Sequence, residues 1–370
     1  MNRIHSIDSF RGAMLVLMTI AHLFIFPFRS IDHLKHYTYG SLGFFTDAEG
    51  FFFLSGLVAS LVYGRMFLEG KEPQAKARIF KRIRQLYLWQ SVLFLALALS
   101  IMCFDKYLQN WRLLHEIVPA WIGNEGLSFL LDHPLQAFSL GSCFLYLPTF
   151  LDLLPLYVVF LAVTPLVLRK LKEGKIVLVS GVSLTLWAAT QFIPPRILEK
   201  TLKVYLPAVK LGWFDLLAWQ LLFVAGLIFG YLNIAGRLPK ISRPLAMLSI
   251  LMALLFFCLR HWGPSFPVAA NLYELGFFRL LSFGAIACTA WAFSRWCVVP
   301  LLAYLGKYSL QVFLYHVALI FFLVFFQVEI TALSFFSKIV LMICCILSLW
   351  IPAYVCERSK QRRIVAVAGQ

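Results

Sequence analysis

The amino-acid sequence predicts an all-α fold, a polytopic integral membrane helical bundle of about ten transmembrane helices with both termini cytoplasmic. Three observations predict it. Of 370 residues, 61% are hydrophobic and only 14% charged, and the mean hydropathy is +0.82; soluble domains carry roughly 25% charged and 45–50% apolar residues. The apolar residues form long continuous runs, whereas membrane barrels use short strands of alternating polarity. Basic residues gather in short segments between the runs, the pattern that the positive-inside rule produces. A soluble enzyme is excluded, and so is disorder, which requires low hydrophobicity.

Each crossing takes about 20 apolar residues, and runs near that length lie at about 12–28, 46–64, 86–104, 143–168, 176–195, 213–234, 244–260, 276–294, 308–328 and 336–355. The first follows Met1-Asn2-Arg3-Ile4-His5 without a small-residue cleavage site, so it is expected to remain as a helix. Between the second and third runs, Arg65, Lys71, Lys76, Arg78, Lys81, Arg82 and Arg84 face two glutamates and assign that loop to the cytoplasm. The loops Arg169 to Lys175 and Arg237 to Arg243, together with Arg295 and the tail from Glu357 to Arg363, fall on the same side. The segment 105–142, with Trp111 and Trp121, is expected to fold over the outer mouth. The segment 196–210 is the exception: it should lie outside, yet it carries Arg196, Lys200, Lys203 and Lys210 against Glu199. An external basic surface for an anionic partner is the other reading of it.

The net charge of +16 is thus a topology signal rather than a nucleic-acid surface, and residues 1–370 read as one transmembrane domain without a repeat or linker. The eight cysteines, Cys103, Cys143, Cys258, Cys288, Cys297, Cys344, Cys345 and Cys356, sit in or beside apolar runs. They lack C-x-x-C or Cys/His spacing, so they read as buried thiols and no metal is expected.

Ionisable side chains within membrane helices cost about 2.5–3.5 kcal/mol on insertion scales, so they mark the polar interior where function is sought. Arg11 and His22 are eleven residues apart. At about 100° and 1.5 Å per residue they return to one helix face, separated by roughly 16 Å of rise. Asp8 stands three residues before Arg11, within reach of an ion pair. In the second run, Glu49 is expected near the height of His22, where a carboxylate would orient the imidazole. Asp152 falls inside the fourth run, Asp215 and Arg279 near the outer ends of the sixth and eighth, and His316 inside the ninth. For His316 and Asp152 a structural, interhelical hydrogen-bonding role is favoured over a catalytic one. Arg279 is expected either to balance Asp215 or Glu49 or to touch substrate.

The Arg-x10-His spacing of Arg11 and His22 resembles the signature of the acyltransferase family 3 superfamily of membrane O-acyltransferases. Three stretches, Ala48-Glu49-Gly50-Phe51-Phe52-Phe53-Leu54-Ser55-Gly56, Asp152-Leu153-Leu154-Pro155-Leu156-Tyr157, and Phe214-Asp215-Leu216-Leu217-Ala218-Trp219-Gln220 running on to Phe223, resemble the OpgC family, which succinylates osmoregulated periplasmic glucans. Leu305-Gly306-Lys307-Tyr308-Ser309-Leu310 with Leu314-Tyr315-His316 is similar to the superfamily's last characteristic block. The resemblance covers nearly the whole chain.

It implies transfer of an acetyl or succinyl group from cytoplasmic acyl-CoA, as co-substrate, to a hydroxyl of an envelope glycan, in a bacterial inner membrane. The resemblance places Arg11 and His22 in the catalytic centre and matches Glu49 and Arg84 to family positions; His22 and Glu49 are then expected as catalytic residues, and Arg11, with Arg82 and Arg84, to attract the phosphates of the donor. From their place among the intramembrane polar groups, Asp8, Asp152, Asp215, Arg279 and His316 are expected in structural or acceptor-binding roles. No cofactor is implied. The partners are acyl-CoA, the glycan acceptor and the bilayer, with homo-oligomer formation an open option. The chemistry suits the residues, because a neutral imidazole makes a sugar hydroxyl nucleophilic by taking its proton, and an acyl-imidazole intermediate would also serve. Two other classes stand beside it: a transporter or flippase with an intramembrane proton relay, which discontinuous helices and inverted repeats would favour, and a structural subunit of an envelope-assembly complex.

Overall fold

The structure is a computed structural model describing residues 5–25, 27–37, 43–107, 129–130, 133–148, 150–194, 196–239, 241–266, 269–294 and 297–368. Trp111, Trp121 and Arg295 lie outside the described residues. In chain order the helices are α1 (His5–Ile25), α2 (Asp47–Leu68), α3 (Glu72–Tyr107), α4 (Pro134–Ser142), α5 (Leu153–Lys172), α6 (Ile176–Thr190), α7 (Ile197–Tyr205), α8 (Leu216–Ile234), α9 (Arg243–Trp262), α10 (Phe277–Ala292), α11 (Pro300–Lys307), α12 (Ser309–Val324), α13 (Gln327–Ala332), α14 (Phe335–Ser348) and α15 (Trp350–Ala368).

Each of the ten apolar runs falls on helix, but the crossings are less uniform than expected. Among the described residues seven helices are long and apolar enough to cross a bilayer: α1, α2, α3, α5, α8, α9 and the stretch Phe335–Arg362 through α14 and α15. The ninth run is broken: α11 and α12 are bent by 86°. α6 and α10 have 15 and 16 residues, short of the ~20 that a full crossing needs. Contiguous large apolar side chains on the outer faces, such as Met247, Leu248, Leu251, Leu254 and Leu255 of α9, are exposed. A soluble helix would bury such a face or carry polar groups there, so the chain is a multi-pass membrane protein.

The chain divides into two compact units, residues 1–51, 241–264 and 282–370 in the first and residues 52–240 and 265–281 in the second. In the first, α1 lies against α11 at backbone contact. A Cβ on Gly12 would stand 1.9 Å from the Leu302 carbonyl oxygen, and one on Gly306 would stand 1.9 Å from that of Asp8. Such small residues let membrane helices approach by van der Waals packing where no hydrophobic drive separates helix from lipid. Ser9 Oγ fixes the register, accepting from the Val299 N–H (3.1 Å) and donating to the Val299 carbonyl (3.2 Å). At the bend, Glu357 of α15 accepts from Tyr304 Oη and Lys307 Nζ, each at 3.0 Å. These bonds fix the last helix to the break.

In the second unit the core is aromatic: Phe52 packs on Phe160, Phe214 and Trp219, and Phe160 on Phe223. On the side rich in lysine and arginine, Glu72 accepts from Lys172 (3.1 Å) and Arg169 (3.5 Å), joining the starts of α3 and the end of α5.

Three expectations are corrected. The fourth run is not helical from residue 143. Phe144 and Phe150 have φ of 61° and 71°, conformations that no helix accommodates. The segment instead pairs with another loop, where Leu147 N–H donates to the Lys210 carbonyl (2.9 Å) and Lys210 N–H to that of Leu145 (2.8 Å). Asp152 therefore precedes α5 rather than lying within it. The cysteines are not uniformly buried. Cys345 is, whereas Cys103, Cys143, Cys258 and Cys344 are exposed, because an apolar run in a membrane protein has an outward as well as an inward face. Finally, 196–210 is no simple loop but contains α7, whose buried Glu199 accepts from Lys203 Nζ (3.0 Å) and the Leu211 N–H (3.0 Å), with Arg196 at 3.8 Å.

Candidate active site

The first unit brings two of the singled-out residues of α1 against one neighbouring helix. Arg11 donates through Nη2 to Ser309 Oγ at the start of α12, and its Nη1 lies 3.9 Å from Asp8 Oδ1. The Asp8–Arg11 pair expected from their spacing is present. Eleven residues further along α1, His22 Nδ1 lies 3.2 Å from Nε2 of His316, seven residues beyond Ser309 on α12. Arg11 and His22 thus share a face, and that face meets α12. Both pairs advance in the same chain sense, so α1 and α12 run parallel. Three turns of α1 span about 16 Å and two turns of α12 about 10 Å; the long Arg11 side chain absorbs the difference.

The imidazole pair has a defined geometry. Ring centroids are 5.4 Å apart and the planes 25° from parallel. That separation is what the N···N contact plus one ring radius at either end gives, so the rings meet end to end, close to coplanar, as an in-plane N–H···N bond requires. His316 is fully buried, and its Nδ1 lies 2.6 Å from the Phe313 carbonyl oxygen one turn earlier. The Phe313 ring stands edge-on to it at 5.0 Å and also touches Phe51 at 6.0 Å. An imidazole, His316, thus faces His22 across the two helices, in the interhelical hydrogen-bonding role that the sequence favours for it.

Glu49 makes a local contact. It is the third residue of α2, and its Oε2 accepts from the Thr46 N–H (2.9 Å) and Thr46 Oγ1 (2.8 Å). A carboxylate reaching back to the residue before the helix closes a capping box and satisfies an orphan donor. Next to it, Gly50 lies against Met14: a Cβ there would stand 2.6 Å from the Met14 sulfur.

The remaining candidates belong to the second unit. Arg82 donates to Gln85 Oε1 (2.9 Å), one turn along α3, and Arg84 is exposed on the same helix. Asp152 is buried and its Oδ2 accepts from the Trp213 N–H at 2.7 Å. Burial pushes its carboxyl up to about 6, against the opposing pull of that N–H. Asp215 caps α8, accepting from the Leu217 and Ala218 N–H groups at 2.9 Å each; burial also holds its carboxyl above the ordinary range. Arg279 is buried in the first turn of α10. Arg196, in the basic stretch expected outside, lies over the rings of Trp213 (4.9 Å) and Tyr273 (5.1 Å), the usual cation–π range.

Sequence reasoning passed over Ser309, the Phe313 carbonyl and Thr46. Ser309 carried a usable signal, since its seven-residue spacing from His316 returns to one helix face just as the spacing of Arg11 and His22 does. A backbone carbonyl carries none.

A profile of the family described as OpgC protein matches residues 3–361. No curated protein and no solved structure matches the chain.

Proposed function

The chain belongs to the OpgC family, and from that membership and the α1–α12 site we propose that it is an integral membrane O-acyltransferase that modifies an envelope glycan. The donor is a cytoplasmic acyl-CoA carrying acetyl or succinyl. The acceptor is a hydroxyl of an extracytoplasmic polysaccharide or periplasmic glucan, and the membrane is the inner membrane of a bacterium. The observation that carries the reading is that Arg11 and His22 present one face of α1 to the same helix, α12.

That arrangement suits a donor lying along α1. Arg11 stands at the start of α12, where a guanidinium and the unsatisfied N–H groups of a helix N-terminus together favour phosphate oxygens. Arg82 and Arg84 remain candidates for donor binding. From Arg11 the pantetheine arm extends the roughly 16 Å to His22, so the thioester meets the imidazole while the nucleotide stays inside. His22 takes the proton of the acceptor hydroxyl as its oxygen bonds to the thioester carbon. The carbon–sulfur bond breaks, and the departing thiolate takes that proton to leave as free CoA. Glu49 supports the site by capping α2 beside Met14 of α1. Asp152, Asp215 and Arg279 remain candidates for acceptor binding. The parallel run of α1 and α12 supports termini on one side, because it requires an odd number of crossings between those helices, as the ten-run topology has.

Mass spectrometry of envelope glycans from cells with and without the gene tests this. An acetyl or succinyl increment that disappears with the gene, and with His22→Ala in a folded protein, is expected. Glycans of unchanged mass would overturn it. The 86° break between α11 and α12 favours a second reading, a transporter or flippase, since broken helices line many transport sites. Loss of substrate movement in His22→Ala, with no acyl product from the wild type, would select that reading instead.

A further inference from the structure

The hydrogen-bond chain that ends on His22 fixes where its protons reside. A carbonyl oxygen only accepts, so the 2.6 Å contact between His316 Nδ1 and the Phe313 oxygen puts a proton on His316 Nδ1. A neutral imidazole carries one N–H, so His316 Nε2 bears a lone pair. The nitrogen facing it at 3.2 Å, His22 Nδ1, must then be the donor. A neutral His22 then has its one basic lone pair on Nε2.

We propose that His316 is a positioning residue that locks His22 in the Nδ1–H tautomer and makes Nε2 the atom that receives the acceptor's proton. The inference rests on the acyl-transfer reading for what Nε2 does, and on geometry alone for which nitrogen it is. Coplanarity within 25° holds the His22 ring in one orientation as well as one tautomer. When Nε2 takes a proton, the ring becomes an imidazolium whose Nδ1–H still points at His316 Nε2, so the bond strengthens as charge develops. The Phe313 carbonyl does for His316 what His316 does for His22, and it comes from backbone already fixed by α12. An orienting group of this kind sets both tautomer and aim of a catalytic base, and losing it elsewhere costs orders of magnitude in rate.

The test has two arms on the full-length protein in lipid. The first is nitrogen-15 NMR of histidine-labelled protein at pH 8, with the His22 signals assigned by subtraction using His22→Gln. A protonated Nδ1 and an unprotonated Nε2 on His22 are expected; a protonated Nε2 overturns the proposal. The second compares His316→Leu with His316→Gln, whose amide oxygen retains an acceptor at about the reach of Nε2. The Leu variant should lose at least about 100-fold in kcat with KM for acyl-CoA unchanged, and the Gln variant should recover most of it. Equal losses in the two, or a Leu variant as active as wild type, overturn the proposal. The spectrum reads the tautomer without any turnover. Acylation surviving in His22→Ala would therefore end the role of His22 as the base and leave the ring assignment standing, whereas glycans of unchanged mass would end the acyltransferase reading.

Discussion

Gly12 stands directly against Leu302: a Cβ at position 12 would lie 1.9 Å from the Leu302 carbonyl oxygen and 2.7 Å from its carbonyl carbon. The obstruction is backbone, which cannot rotate away as a side chain would. Arg11 is the adjacent residue, so the same contact sets how deeply the guanidinium reaches toward Ser309.

Gly12→Ala is therefore expected to push α1 off α11, at a cost of about 1–3 kcal/mol typical of overpacking. Thermal unfolding in detergent should show a lower midpoint, and acyl transfer should fall with it. A midpoint equal to wild type would mean that the two helices separate freely.

Arg11→Lys keeps the charge but loses the planar fork that reaches Asp8 and Ser309 together. KM for acyl-CoA should rise roughly tenfold while kcat falls by less than about threefold. Steady-state kinetics with varied acyl-CoA checks this; a loss confined to kcat would detach Arg11 from donor binding.

Glu49→Gln retains an acceptor for Thr46 N–H and Oγ1, whereas Glu49→Ala removes it. From the cap, Gln should remain near wild type, and Ala should lose about 1 kcal/mol of stability. A Gln variant that folds normally but does not turn over would restore Glu49 to the chemistry.

Asp152 gives a pH dependence whose sign follows from burial. Its folded carboxyl titrates at about 6, above the ~3.9 of an unfolded aspartate, so the neutral form is the one the fold favours. Its contribution is fully present below about pH 4 and is lost as pH rises through about 6, on the order of 2–3 kcal/mol. Asp152→Asn keeps an oxygen for the Trp213 N–H and should flatten unfolding midpoints between pH 4 and 7. An identical slope in the variant would assign the dependence to other groups.

Much of the architecture was legible in the sequence because lipid imposes a simple rule: backbone polar groups must be satisfied within a helix, and a helix must be apolar where it meets lipid. All ten runs accordingly mark helices. The same rule misjudged 143–152, since hydropathy does not register the positive φ of Phe144 and Phe150, and a tertiary bridge to Lys210 supplies the hydrogen bonds a helix would have made. It also read cysteines in apolar runs as buried, though a lipid-facing thiol is apolar in its surroundings without being enclosed by protein.

For the site, helical periodicity determined by itself that Asp8, Arg11 and His22 occupy one stripe, because angle and rise per residue are constants of the backbone. The tertiary structure alone decided what that stripe meets. Two glycines admit α1 to α11 backbone to backbone, and past the 86° break at Tyr308 the same helix meets α12. Neither the angle of a break nor the identity of a neighbour is encoded in the period of a single helix. Pairing of His22 with His316, across 294 residues of chain, is fixed only when packing has selected one helix arrangement from the many that the same apolar runs allow.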